Sequence, residues 1–74
     1  MQMNNLNVAK IQLNGSTLEI KIGTNLNDLL NKLKIQKNKV AIEVNGEIVS
    51  NNKYINLILN TNDKVEIVHF IGGG

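Results

Sequence analysis

Two Asn-Gly pairs, Asn14-Gly15 and Asn45-Gly46, interrupt runs that alternate apolar and polar residues, and one leucine stripe lies between them. That succession of periods constrains the fold more than any other feature. Asn-Gly tolerates the positive φ of a tight hairpin turn, so each pair joins two antiparallel strands. Before the first pair, Ala9, Ile11 and Leu13 share one face, with Lys10 and Gln12 on the other. After it, Leu18, Ile20 and Ile22 read as inner residues and Glu19 and Lys21 as outer ones, the period of a half-buried strand.

Gly23-Thr24-Asn25 breaks the alternation. Leu26, Leu29, Leu30 and Leu33 then follow at i, i+3, i+4 and i+7, a single apolar stripe on a helix. Asn25 is the expected N-cap, and Asp28 at N3 is placed to reach back to it. Lys32, Lys34, Lys37 and Lys39 gather at the far end, where cations suit the negative end of the helix dipole. They form a solvated helix end or a patch for an acidic partner. The third strand is Val40 to Val44, turned by Asn45-Gly46 into a short strand from Glu47 to Val49. Ser50 to Asn62 reads as a short helical turn and a loop folded over the core edge, anchored by Tyr54, Ile55, Leu57, Ile58 and Leu59. Asn62-Asp63 is the expected last turn before a strand from Lys64 to Phe70.

The order β-β-α-β-β-β predicts an α+β layer, a mixed sheet of four to five strands with one covering helix. A right-handed crossover would bring the last strand parallel to the first at the sheet centre. That is the β-grasp, or ubiquitin-like, topology. A ferredoxin-like fold needs a second helix, and Ser50 to Asn62 lacks the stripe for one. Residues 1–8 are expected to be a flexible leader, 9–70 the domain and 71–74 a flexible glycine tail.

Seventy-four residues make one small domain with room for a thin core and no deep enclosed active site. Tyr54 and Phe70 are the only aromatics, so that core is aliphatic. Cysteine is absent, which excludes disulfides, thiolate metal sites and a persulfide carried on a side chain. All eight basic residues are lysine and the net charge is +2, so nothing offers the bidentate contacts that read guanine or grip phosphate. No nucleic-acid partner and no membrane segment is expected. Paired carboxylates, a Cys/His pair and a metal cluster at suitable spacing are all missing, which argues against an enzyme.

The chemistry concentrates at the end. Ile71-Gly72-Gly73-Gly74 follows the last strand directly, and three glycines at a given place have a chance of about 3 in 10,000 at ordinary usage. A glycine stalk here presents the α-carboxylate of Gly74 without flanking side chains. Extended, these four residues span on the order of 13 Å, enough to thread a narrow channel. Upstream, Val65 and Ile67 fall on the helix-covered face. Val68 and Phe70 fall on the opposite face beside Glu66, where a lone sheet has no second layer. With Ile71 they form a candidate partner-binding patch; the alternative is Phe70 folded over the sheet edge as satellite core. His69 shares the parity of Val65 and Ile67. A lone imidazole there reads as a partly buried or rim residue rather than a ligand.

The span from Lys10 to Gly74 resembles the thiamine-biosynthesis sulfur carriers, the ThiS family. The matching segments are KIQLNG (Lys10 to Gly15), IGTNLNDLL (Ile22 to Leu30), AIEVNGEIV (Ala41 to Val49) and DKVEIVHFIGGG (Asp63 to Gly74). Two features depart from the family. Ser50-Asn51 stands where a Pro-Arg pair is common, so no contact of that arginine carries over, and Met1 to Val8 has no counterpart. The small subunit of molybdopterin synthase is the nearest relative in design, but it usually carries prolines before its glycines, and none occurs here.

The resemblance implies a cycle. A ThiF-like adenylating partner uses ATP and Mg²⁺ to activate the Gly74 carboxylate, and a persulfide donor supplies sulfur to give a thiocarboxylate. A ThiG-like thiazole synthase then receives that sulfur. Gly73 and Gly72 would be the slender stalk behind Gly74, and the family pattern needs only the final pair. The chain itself would bind no cofactor. It would be a cosubstrate, monomeric when free, in the cytoplasm or, if plastid-encoded, in an organelle stroma. The alternatives are a ubiquitin-like modifier conjugated through Gly74, a carrier for another pathway such as molybdopterin, and an interaction module with an inert tail.

Overall fold

The computed structural model describes residues 7–70. Five strands and one helix follow the order read from the periodicity: β1 (Val8–Leu13), β2 (Ser16–Lys21), α1 (Leu26–Leu33), β3 (Val40–Val44), β4 (Glu47–Val49) and β5 (Lys64–His69). A 3-10 turn, Lys37–Lys39, precedes β3, and a 3-10 helix, Asn51–Asn56, follows β4. The sheet order is β2-β1-β5-β3-β4. β5 runs parallel to β1 and antiparallel to β3 at the centre, as expected. Nearly every β5 backbone group therefore needs a partner on one side or the other.

Local chemistry explains the elements. Asn14 and Asn45 take φ of 48° and 54°, and Gly15 and Gly46 both take 86°, the double positive-φ requirement of a two-residue hairpin. The helix opens on a reciprocal cap. Asp28 N–H donates to Asn25 Oδ1 at 2.7 Å, and Asn25 N–H donates to Asp28 Oδ2 at 3.5 Å. It closes at Lys34, whose φ of 60° is left-handed. Ile35 N–H then reaches back to the Leu30 carbonyl at 2.9 Å, satisfying a helix-end acceptor.

One core lies between α1 and the sheet. Leu26, Leu29 and Leu30 from the helix meet Ala9, Ile11, Ile20, Val40, Ile42, Val65 and Ile67 from four strands. Leu33, the last residue of the stripe, is half-buried at the core margin. Tyr54 and Leu59 close the open end of this layer, each about 1% exposed. The loop carrying Leu59 is stitched to the helix entrance: Leu26 N–H donates to the Leu57 carbonyl and Leu59 N–H to that of Thr24, both at 2.9 Å.

Several boundaries and inner assignments differ from the expectation. β1 begins at Val8, inside the segment read as leader, and Asn7 extends the hairpin by accepting from Ile22 N–H at 2.8 Å. Ile22 is 61% exposed rather than internal, because β2 ends at Lys21 and the chain turns through Gly23 at φ 96°. Ile55 and Ile58 are likewise exposed rather than anchors. A 3-10 helix has three residues per turn, so only Tyr54 of its apolar residues faces inward. The last turn falls on Thr61-Asn62, with Asn62 at φ 78°, and β5 stops at His69, one residue before the expected end. Among the described residues no helix is long and apolar enough to cross a membrane.

Candidate functional site

β5 decides where the tail starts and how firmly its root is held. Its register against β3 is Val44↔Val65, Ile42↔Ile67 and Val40↔His69. In an antiparallel ladder alternate residues address alternate neighbours. Asn45 N–H donates to the Lys64 carbonyl at 2.8 Å and Phe70 N–H to the Lys39 carbonyl at 2.9 Å, so 64, 66, 68 and 70 face β3. Residues 65, 67 and 69 turn their backbone groups toward β1. The β1–β5 ladder is short, covering only Gln12↔Lys64 and Leu13↔Val65.

Two asparagine side chains complete it. Asn14 N–H donates to the Val65 carbonyl at 2.9 Å. Its side-chain Oδ1 accepts from Ile67 N–H at 2.7 Å, and its Nδ2 donates to the Ile67 carbonyl at 3.3 Å. The amide thus imitates one more strand residue. Asn45 fastens the other end of β5: Oδ1 accepts from Lys64 N–H at 2.9 Å, and Nδ2 donates to Asp63 Oδ1 at 2.9 Å. Sequence reading recognised both residues as turn formers and missed them as clamps. Their partners lie 53 and 19 residues away, and no local pattern shows that.

The open sheet face carries exposed apolar side chains near the end of β5. Val68 and Phe70 are each 61% exposed, so Phe70 is not folded into the core. Ala41 pairs with Val68 across the ladder, and Ile48, 77% exposed, sits on the same face of β4 opposite Glu43. Glu43 in turn faces Glu66, so two carboxylates border the apolar residues. His69, expected to be partly buried or at the rim, is exposed at the end of β5. Gly72, Gly73, Gly74 and Ile71 lie outside the described residues.

Lys32, Lys34, Lys37 and Lys39 are all exposed. The single ion pair among the described residues is Lys10–Glu19, at 3.9 Å. The Phe70–Lys39 bond brings the end of this basic segment to the tail root. A cleft of about 390 Å³ beside the end of α1 is lined by Leu30, Asn31, Lys34, Ile35 and Lys37 among others. It holds no carboxylate, imidazole or hydroxyl with which to run acid–base chemistry. Among the described residues no group of three His, Cys, Asp or Glu side chains could hold a metal ion.

A five-stranded mixed sheet under one capped helix, with a glycine-ended segment following its central strand, defines a ubiquitin-like β-grasp protein. Residues 7–74 match the model of the ThiS family, and the chain belongs to that family. It is 38% identical over 65 residues to the sulfur carrier protein ThiS of Bacillus subtilis, covering 86% of this chain and 98% of that one. It superposes on the crystal structure of thiamine biosynthesis protein ThiS from Geobacter metallireducens with a TM-score of 0.76 at 29% identity, over 88% and 99% of the two chains. A thiazole synthase of Magnetococcus marinus is 45% identical over 65 residues. The chain spans only 20% of that synthase's length, while 88% of the chain is matched.

Proposed function

We propose that this protein carries sulfur for formation of the thiamine thiazole, with the Gly74 carboxylate as the carrying group. One observation carries the reading: the family match runs through the terminal glycines to Gly74. A carboxylate is a poor electrophile. An adenylating partner first joins it to AMP, with ATP and Mg²⁺ consumed and pyrophosphate released. The terminal sulfur of a donor's persulfide attacks the acyl carbon and AMP leaves. A thiol then cleaves the acyl disulfide, taking the donor sulfur into a new disulfide and leaving the thiocarboxylate on Gly74. Thiazole synthase receives that sulfur. A matching segment inside a protein named thiazole synthase supports the pairing.

The chain contributes shape and docking rather than acid–base chemistry, and acts as a cosubstrate. Glycine at positions 72 to 74 adopts whatever φ a channel imposes and adds no width. Ordering such residues costs about 1–2 kcal/mol each, so affinity must come from the folded body, where Val68 and Phe70 stand exposed beside the tail root. The reaction belongs in the cytoplasm, or in the stroma for a plastid-encoded chain.

Intact-mass measurement tests this. Incubation with ATP, Mg²⁺, adenylating enzyme, a persulfide donor and a thiol is expected to exchange one oxygen for sulfur at the C-terminus. Lysine-linked adducts in extract would instead indicate a protein modifier. A chain unchanged in both settings would sink the carrier reading.

A further inference from the structure

Past Asn14, the central strand has a backbone edge that no described residue pairs. Val65 and Ile67 direct their peptide groups toward β1 and find the Asn14 backbone and side chain there. By the same alternation His69 directs its N–H and C=O to that side. β1 has already turned away at Asn14-Gly15, and no described residue bonds the His69 peptide groups. His69 is exposed, so among the described residues this edge is uncovered one residue before Phe70.

An exposed edge is a template for another strand, and proteins usually guard it with charge, shortness or a bulge. The two outer strands here follow that rule: β2 carries Glu19 and Lys21, and β4 is three residues long. The β5 overhang, Val68-His69-Phe70, is guarded on this side by its shortness alone, since it has neither charged residue nor proline. It also adjoins the exposed Val68 and Phe70 side chains. Backbone edge and apolar side chains together offer the two components of strand addition, ladder bonds for affinity and side-chain contacts for specificity.

We infer that an extended segment of thiazole synthase adds to β5 in the position β1 vacates beyond Asn14, bonding the His69 peptide groups. The inference rests on the proposed carrier function, which supplies the partner. The synthase would then hold the root of the tail as an added strand while the glycines beyond reach its active site. Asn14 marks where the protein's own sheet stops and the partner's begins.

Amide hydrogen exchange at His69, measured on the intact protein with and without thiazole synthase, tests the inference. Its amide is expected to exchange readily in the free protein and to become protected in the complex. His69→Pro removes the donor without touching a β3 ladder bond and is expected to weaken binding by roughly tenfold, the worth of one hydrogen bond with its unpaired acceptor. His69→Ala keeps the peptide group and is expected to bind as the wild type. An amide-to-ester replacement at the Val68–His69 bond, made by semisynthesis, reads the same loss without proline's restriction on φ. Binding that leaves the His69 amide unprotected, or an ester that binds as tightly as the amide, overturns strand addition. If the same sample still acquires the thiocarboxylate by intact mass, only strand addition fails and the carrier reading stands. Wild-type self-association abolished by His69→Pro would also overturn it, assigning the edge to a second copy.

Discussion

Asn14 holds two tasks at one position, and a substitution can separate them. Its φ of 48° suits the hairpin turn, while its amide bonds Ile67 on both peptide groups. Glycine keeps the turn and removes the amide. Asn14→Gly is therefore expected to cost about 1–3 kcal/mol, because the Ile67 N–H and C=O lose partners at a part-buried site. Urea unfolding measures the loss, and an unchanged midpoint would show that water replaces the clamp without penalty. Tyr54 is a second residue with a measurable signature. Burial raises its hydroxyl pKa above the ordinary 10.0. A raised value favours the neutral form in the folded state, so this contribution is complete below pH 10 and is lost as pH rises through the folded pKa. The melting temperature is expected to fall above about pH 10 in the wild type, and to fall less in Tyr54→Phe, which has no proton to lose there.

At the scale of elements, the helix is short enough for its cap to matter. Eight residues are too few to be stable alone, so α1 depends on its leucine face and on the Asn25–Asp28 reciprocal cap. Asn25→Ala is expected to destabilise the protein by about 1 kcal/mol, read from denaturant midpoints, and a loss below a few tenths would demote the cap. The helix, both hairpins and the strand order were all legible in the sequence, because their causes are local: positive-φ turn pairs, alternating runs and an i, i+3, i+4, i+7 stripe. The misreadings fell where local pattern competes with geometry. Ile22 continues the parity of β2, yet the turn at Gly23 carries it into solvent. Ile55 and Ile58 look like anchors by composition, but the 3-10 helix and the loop after it turn only Tyr54 and Leu59 fully inward.

The whole molecule has a thin margin. At roughly 0.05–0.15 kcal/mol per residue, a chain this long has on the order of 4–11 kcal/mol of stability. Leu29 is fully buried beneath the sheet, and Leu29→Ala is expected to remove about 2–5 kcal/mol. Urea titration should show a large drop in midpoint or a population unfolded without denaturant. Phe70→Ala gives the opposite pattern, since its side chain is mostly exposed. The fold is expected to persist by circular dichroism, while calorimetry shows weaker docking to thiazole synthase and the adenylating enzyme. A folded variant with unchanged affinity for both would remove Phe70 from the interface.

By itself the sequence determined the element order, the two hairpin turns, the helix cap and the family, since each depends on residues close together along the chain or on a recognisable ending. Only the tertiary structure decided how β5 is secured. Its fasteners, Asn14 and Asn45, come from two separate hairpins, and backbone hydrogen bonding leaves no trace in side-chain periodicity. For the same reason the edge at His69, unpaired among the described residues, is invisible in the sequence. It exists because β1 pairs with β5 only as far as Val65, four residues before β5 ends, and that relation is fixed by register between strands rather than by any residue's own preference.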